Sequence, residues 1–281
     1  MKVRDPQKVT NKGAIALTYS ETGVGKTVSA IQSGPTPMLL MCAEFRDIER
    51  SVEASERELV LGDLSDPKDY VIAEYTSWHD NPKTGEQGLV RFLNQNESIF
   101  EPFNFILLDG LTQLVRNLAF EIEDAAYDAL PDDKKRKELI LGAKLSQEGY
   151  GALAERMSRI MPALGRLSQQ GKYVIINMLL EQEENKWEGT YKAYPSLMGQ
   201  KFGRELPGTL DLIGMATKRF DKSGKVIYPP VIHYEPYDAK IRFECKWTGK
   251  KIKAFENGVE IPDPPMVNIP LDYRTIFGLN R

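Results

Sequence analysis

Ala14-Ile15-Ala16-Leu17-Thr18-Tyr19 runs directly into Ser20-Glu21-Thr22-Gly23-Val24-Gly25-Lys26-Thr27, and an amphipathic stretch beginning Val28, Ala30, Ile31 follows. An apolar strand, a glycine-bearing loop ending in Lys-Thr and then a helix form the context in which a loop cradles phosphate. The chemistry ranks the positions. Gly23 and Gly25 give the backbone freedom to turn its amides inward. Lys26 reaches the β- and γ-phosphates, the Thr27 hydroxyl binds Mg²⁺, and the positive end of the helix adds to the field. The cofactor-binding set is Ser20, Glu21, Thr22, Gly23, Val24, Gly25, Lys26, Thr27 and Val28. Ser20 stands where the usual G-x-x-x-x-G-K-[ST] pattern begins with glycine, so a strict pattern search misses the loop.

Further apolar runs read as buried parallel strands: Met38–Cys42, Phe105–Leu108, Tyr173–Met178 and Leu212–Ala216. They lack strict alternation, as strands covered by helices on both faces do. Helical stretches lie between them at Lys26–Gln32, Glu44–Leu59, Leu111–Tyr127 and Gly151–Gln169. The alternation predicts an α/β domain with a mainly parallel central sheet. Beyond residue 217 the texture changes. Lys225–Tyr234 and Lys240–Trp247 read as antiparallel strands, and Glu256–Arg281, with Pro262, Pro264, Pro265 and Pro270, as an extended tail ending in a short apolar element. The expected division is residues 1–255 as the core domain and 256–281 as the Pro-rich tail. Ala129–Gly142 is a charged excursion.

Three polar residues punctuate the strand ends. Asp109 follows Phe105–Leu108 and suits a carboxylate that holds the metal; a solvated strand end is the plainer alternative. Glu44, the first carboxylate after Met38–Cys42, is either the group that polarises attacking water or a first-turn helix residue. Asn177, inside an apolar strand, either senses the γ-phosphate or satisfies a core neighbour.

The order SETGVGKT, CAE, ILLDG, VIINM resembles the RecA-like ATPase core, and most closely the phage-encoded ATP-binding proteins that include the Sak-four-type single-strand-annealing ATPases. The resemblance runs from about residue 13 to 247. It implies a RecA-like P-loop NTPase fold using ATP and Mg²⁺, with Thr27 and Asp109 on the metal and Lys26, Glu44, Asp109 and Asn177 as the catalytic set. It also implies a homo-oligomer with nucleotide at subunit interfaces, where a cation such as Arg219, beside Lys218, reaches the neighbour's site; a solvated strand end is the other reading. Gly110 stands where that family often has serine.

In RecA-like proteins the loop after the sensor strand approaches single-stranded DNA. Here that stretch, Glu181–Pro207, interleaves Trp187, Tyr191, Tyr194 and Phe202 with Lys186, Lys192, Lys201 and Arg204. Aromatics stack on bases and cations neutralise phosphates, which suits a single strand. Glu181, Glu183 and Glu184 oppose it, and the alternative is a hairpin turning at Asn185–Gly189 whose aromatics cover the core. Lys186, Trp187, Lys192, Lys201 and Arg204 form the DNA-binding candidate set. A single-strand-binding protein is a further expected partner.

The net charge of −3 argues against a dedicated duplex-DNA binder, whose domain is basic as a whole. The cysteines, Cys42 and Cys245, have no metal-ligand spacing. The opening residues carry charge rather than the apolar run of a signal peptide, and no apolar run approaches a membrane span. The expectation is a cytoplasmic protein, in the host cytoplasm if phage-encoded. Two other functions compete: a nucleotide-dependent scaffold with little turnover, and a small-molecule kinase, for which no arginine-bearing lid is evident.

Overall fold

In a computed structural model, residues 13–43, 48–75, 77–80, 85–95, 97–131, 147–198, 206–248, 255–256, 259–260 and 265–279 are described. Five strands fall where the apolar runs predict them: β1 (Ile15–Ser20), β2 (Met38–Cys42), β4 (Phe105–Asp109), β5 (Tyr173–Asn185) and β7 (Leu212–Phe220). The sheet also holds β3 (Tyr70–Glu74), which the sequence reading passed over. β3 lies parallel to β2 at the edge, where Ile72, Ala73 and Glu74 are not fully buried and the apolar signal fades.

With β8 (Val226–His233) and β13 (Ile269–Pro270) included, the order across the sheet is β13-β8-β7-β1-β5-β4-β2-β3. β7, β1, β5, β4, β2 and β3 are mutually parallel. β8 joins β7 antiparallel, and β13 joins β8 antiparallel. The mixed α/β fold with a mainly parallel sheet is therefore as expected. Residues alternate between two apolar layers. Leu17, Met41, Leu108 and Ile176 face α4 (Leu111–Asp128) and the helices α5 (Gln147–Ser158) and α6 (Met161–Gln169). Ala16, Leu40, Leu107 and Ile175 face α1 (Lys26–Ser33), α2 (Glu49–Glu53) and the C-terminal residues. α3 (Leu89–Gln95) completes the first layer.

Several expectations are corrected. The Glu44–Leu59 helix shrinks to α2: the chain turns after Ala54, and Glu56 sits at φ 55°, in the left-handed region that ends helices. Gly151–Gln169 is two helices rather than one. Pro162, in the first turn of α6, lacks the N–H that Ser158 C=O would have accepted, so the chain breaks at Arg159–Ile160. Lys240–Trp247 divides into β9 (Ile241–Phe243), parallel to β6 (Thr190–Pro195), and β10 (Lys246–Trp247), antiparallel to β7. β11 (Phe255–Glu256) and β12 (Val259–Glu260) pair with each other. The charged excursion lies largely outside the described residues.

The described C-terminal residues 265–279 pack onto the domain and end in a short apolar element, as the sequence reading has it. After β13, Asp272 caps the short helix α7 (Tyr273–Phe277) by accepting from Arg274 N and Thr275 N. Tyr273 is fully buried; its N–H donates to Ser33 Oγ at 2.9 Å, and its hydroxyl pairs with Thr18 Oγ1 at 2.7 Å. Among the described residues, no helix is long and apolar enough to cross a membrane.

Candidate nucleotide site

β1 delivers the chain into the loop Glu21–Gly25, and α1 begins at Lys26. Gly25 sits at φ 103°, and a Cβ there would also press within 3.1 Å of the Tyr228 ring. Only glycine fits. Ser20 needs no such freedom. It is the last residue of β1, paired in register with Leu179 of β5. An extended backbone at the first loop position removes the demand for glycine, so the departure from the usual pattern costs the loop nothing in geometry. The Ser20 hydroxyl instead accepts from Lys26 Nζ at 2.7 Å and donates to the Glu21 carbonyl at 2.8 Å.

The parallel register places the ends of β4 and β5 beside this loop: Asp109 lies opposite Asn177, and Asn177 opposite Thr18. Thr27 Oγ1 donates to Asp109 Oδ2 at 2.7 Å, and Asn177 Nδ2 donates to Asp109 Oδ1 at 3.1 Å. Both carboxylate oxygens are thus held, with Asp109 and Asn177 buried. Asn177 Oδ1 is buried without a hydrogen-bond partner among the described residues. Facing the carboxylate with the amide nitrogen leaves that oxygen as an acceptor for something else. Gly110, at φ 94°, then turns the chain into α4, which explains glycine where the resembling family often has serine.

These elements border a cavity of about 440 Å³. Thr22, Gly23, Gly25, Lys26, Thr27 and Val28 form one side, and Asp109, Gly110 and Asn177 another. Of the expected cofactor residues, Val24 is buried in the apolar layer beneath α1, and neither Ser20 nor Glu21 lines the cavity. Ser51 of α2, Thr112 of α4, Met178 and Leu179 of β5, and Tyr228 of β8 complete the wall. Sequence reasoning singled out none of these. Tyr228 arrives through a bulge: Thr217 pairs with Val231 but Arg219 with Ile227, so β8 spends extra residues at Tyr228-Pro229-Pro230. Consecutive prolines inside a strand were the available signal, since they cannot sustain a ladder.

The residues fit Mg²⁺ with a nucleoside triphosphate. Hydroxyl and carboxylate oxygens are the hard donors Mg²⁺ takes, and a single carboxylate leaves room for water and phosphate. Lys26 and the N-termini of α1 and α4 supply positive potential around the same space. Buried Asn177 Oδ1 adds an unspent acceptor.

Other candidates lie apart. Glu44, Lys201 and Arg204 are outside the described residues. Lys218 and Arg219 are within β7 rather than after it, because β7 continues to Phe220 in partnership with β8. Arg219 does not line the cavity of its own chain, and its Nε is buried without a hydrogen-bond partner among the described residues. Glu181–Pro195 is an antiparallel hairpin: β5 runs past the sheet to Asn185 and returns as β6. Its aromatics do not cover the core, since Trp187 at the turn is 99% exposed and Tyr191 is exposed. Lys186, Trp187 and Lys192 gather there, beside Arg242 of β9. Arg242 pairs with Glu188 at 3.5 Å, and Lys192 Nζ stands 5.6 Å from the centre of the Tyr194 ring. The Tyr194 hydroxyl donates to Glu183 at 2.8 Å; burial, and then that bond, push its phenol up to about 12.

A family model for the AAA domain matches residues 12–243. Among solved structures, the chain is similar to the flagellar accessory protein FlaH from Methanocaldococcus jannaschii, at 9% identity over 79% of this chain and 78% of that one, with a TM-score of 0.43. It is also similar to a KaiC-like protein from Pyrococcus horikoshii OT3, at 14% identity over 79% of this chain and 78% of that one, with a TM-score of 0.36. No curated protein matches the chain.

Proposed function

The chain belongs to the AAA domain family, and on that premise we propose that it is a Mg²⁺-dependent, RecA-like ATPase whose projecting hairpin engages single-stranded DNA, in phage recombination, annealing or replication. The observation that carries the ATPase reading is the joint hold of Thr27 and Asn177 on Asp109 at the mouth of the Lys26 loop.

Each residue has a task in this reading. Lys26 leaves the Ser20 hydroxyl to meet phosphate oxygens, while the N-terminus of α1 holds the rest of their charge. Thr27 and Asp109 would hold Mg²⁺, which when bound supplies Lewis-acid neutralisation of phosphate charge. Asn177 keeps Asp109 oriented and offers its carbonyl oxygen to a water or hydroxyl proton. Glu44 takes the water-polarising role that the resemblance implies, and Arg219 reaches a neighbouring copy in a homo-oligomer. Tyr228 offers an exposed ring beside Gly25, suited to a base.

What supports a nucleic-acid partner is Trp187, an apolar ring in full contact with water between Lys186 and the strand carrying Lys192. A single-strand-binding protein is the further partner consistent with this role. Turnover of Mg·ATP by wild type and Lys26→Ala, with and without an oligothymidylate, tests the reading alongside oligomer size. Turnover that oligothymidylate stimulates and Lys26→Ala abolishes is the expected result. Nucleotide binding without turnover or any response to oligothymidylate would leave a nucleotide-dependent scaffold instead, and phosphate transfer to a metabolite would leave a kinase.

A further inference from the structure

We propose that Thr112 is a positioning residue through which occupancy of the nucleotide cavity reaches the β5–β6 hairpin. The hairpin leaves the sheet at Leu179. Beyond that point Leu180 pairs with Pro195, and Ser196 N donates to Leu179 O at 2.8 Å, continuing the antiparallel ladder. A closed ladder pair would return a bond from Leu179 N to Ser196 O. That return is routed through a side chain: Leu179 N donates to Thr112 Oγ1 at 3.0 Å, and Thr112 Oγ1 donates to Ser196 O at 3.1 Å.

The hydroxyl is therefore inserted into the ladder as a third party, and it belongs to the helix of the nucleotide site. Thr112 is buried in the first turn of α4, three residues beyond Asp109, and lines the same cavity. On β5, Leu179 lies two residues past Asn177 and is paired in register with Ser20, the Lys26 acceptor. The spacing between the hairpin's two legs is thus set by where the first turn of α4 stands. A ligand that displaces the first turn of α4 relative to β5 changes one or both of the Thr112 bonds. A direct backbone pair would have set that spacing without the first turn of α4.

This inference rests on the cavity taking Mg·ATP, and the test separates the two. Hydrogen exchange of the full chain is followed with and without saturating Mg²⁺ and a non-hydrolysable ATP analogue. In the wild type, amides of the 21–27 loop gain protection, and amides of 179–196 change by about fivefold, the effect of one net hydrogen bond. In Thr112→Val, at saturating analogue, the loop still responds but the hairpin no longer does. Thr112→Ser restores the hairpin response. A hairpin that responds equally in Thr112→Val overturns the proposal. So does a wild-type loop that responds while its hairpin stays silent, a comparison that holds even if the valine variant fails to fold. Silence at the loop as well overturns the nucleotide reading and the coupling with it.

Discussion

Thr27 Oγ1 donates to Asp109 Oδ2 across 2.7 Å of the cavity wall, bringing together residues 82 apart in sequence. The pair places a neutral oxygen and an anionic one side by side at the positive end of α1. Asn177 prevents the carboxylate from rotating away. The order of the sheet produces this arrangement: β1 is followed by β5 and then β4, so strands distant in sequence end beside the loop.

Replacing Asp109 with Asn removes the charge and leaves the shape. The expected result is a fall in Mg·ATP turnover of at least about 100-fold. Binding of nucleotide in the presence of a chelator changes little, because Lys26 and the loop amides do not depend on the carboxylate. Steady-state turnover and equilibrium binding with and without Mg²⁺ make the comparison. An Asp109→Asn variant that retains wild-type turnover would remove Asp109 from the metal site.

Much of this site is legible in the sequence because buried parallel strands announce themselves as short apolar runs, and polar residues at their ends stand out. Asp109 and Asn177 stand out that way, and both border the cavity. The wall residues were not: Ser51, Thr112 and Tyr228 come from a short helix, a helix first turn and a bulged strand, each ordinary in its own neighbourhood. The partners of Thr112 are 67 and 84 residues away. Local pattern carries no information about such contacts. The packing of the tail is hidden for a related reason: burial of Leu271, Tyr273 and Ile276 depends on an apolar layer assembled elsewhere.

That burial has a measurable consequence. The Tyr273 hydroxyl meets Thr18 Oγ1 in the interior, where burial pushes the phenol's pKa upward and keeps it neutral. Tyr273→Phe leaves Thr18 without this partner and is expected to cost about 1–2 kcal/mol in denaturant unfolding. Deleting residues 265–281 removes β13 and α7 together and uncovers one apolar face of the sheet, so cooperative unfolding is lost. A truncated chain with an unchanged transition would show that the fold does not need its C-terminal helix.

Trp187 makes the opposite prediction, because its ring is in water. Trp187→Ala should leave unfolding free energy within about 0.5 kcal/mol of wild type. Affinity for an oligothymidylate should fall by about 1–3 kcal/mol, the worth of one stacked base. Fluorescence anisotropy over a salt series separates this from charge: Lys186→Ala should shallow the dependence on salt, and Trp187→Ala should not. Undiminished binding in the Trp187 variant would move any DNA contact off the hairpin tip.

His233 sets the response of the fold to acid. Its ring is buried between β7 and the C-terminal residues and stacks on Tyr237 at 4.0 Å between centres. Asn268 N donates to Nδ1 at 3.2 Å, so Nδ1 must be an acceptor, and Nε2 lies 3.0 Å from Thr217 Oγ1. A proton on Nδ1 would set two donors against each other, in keeping with burial holding the imidazole down at about 4. In the unfolded chain the imidazole titrates near its ordinary value of 6.5. Between those two values the unfolded state binds more protons, so stability rises with pH through that window and is lost as pH falls through it. The expected loss is roughly 2 kcal/mol between neutral pH and pH 4, on top of the carboxylates' own contribution. In His233→Asn, whose amide oxygen can still accept from Asn268 N, that increment should vanish. Unfolding free energies of both proteins from pH 7.5 to 4 provide the measurement; parallel curves would mean that His233 takes up its proton without disturbing the fold.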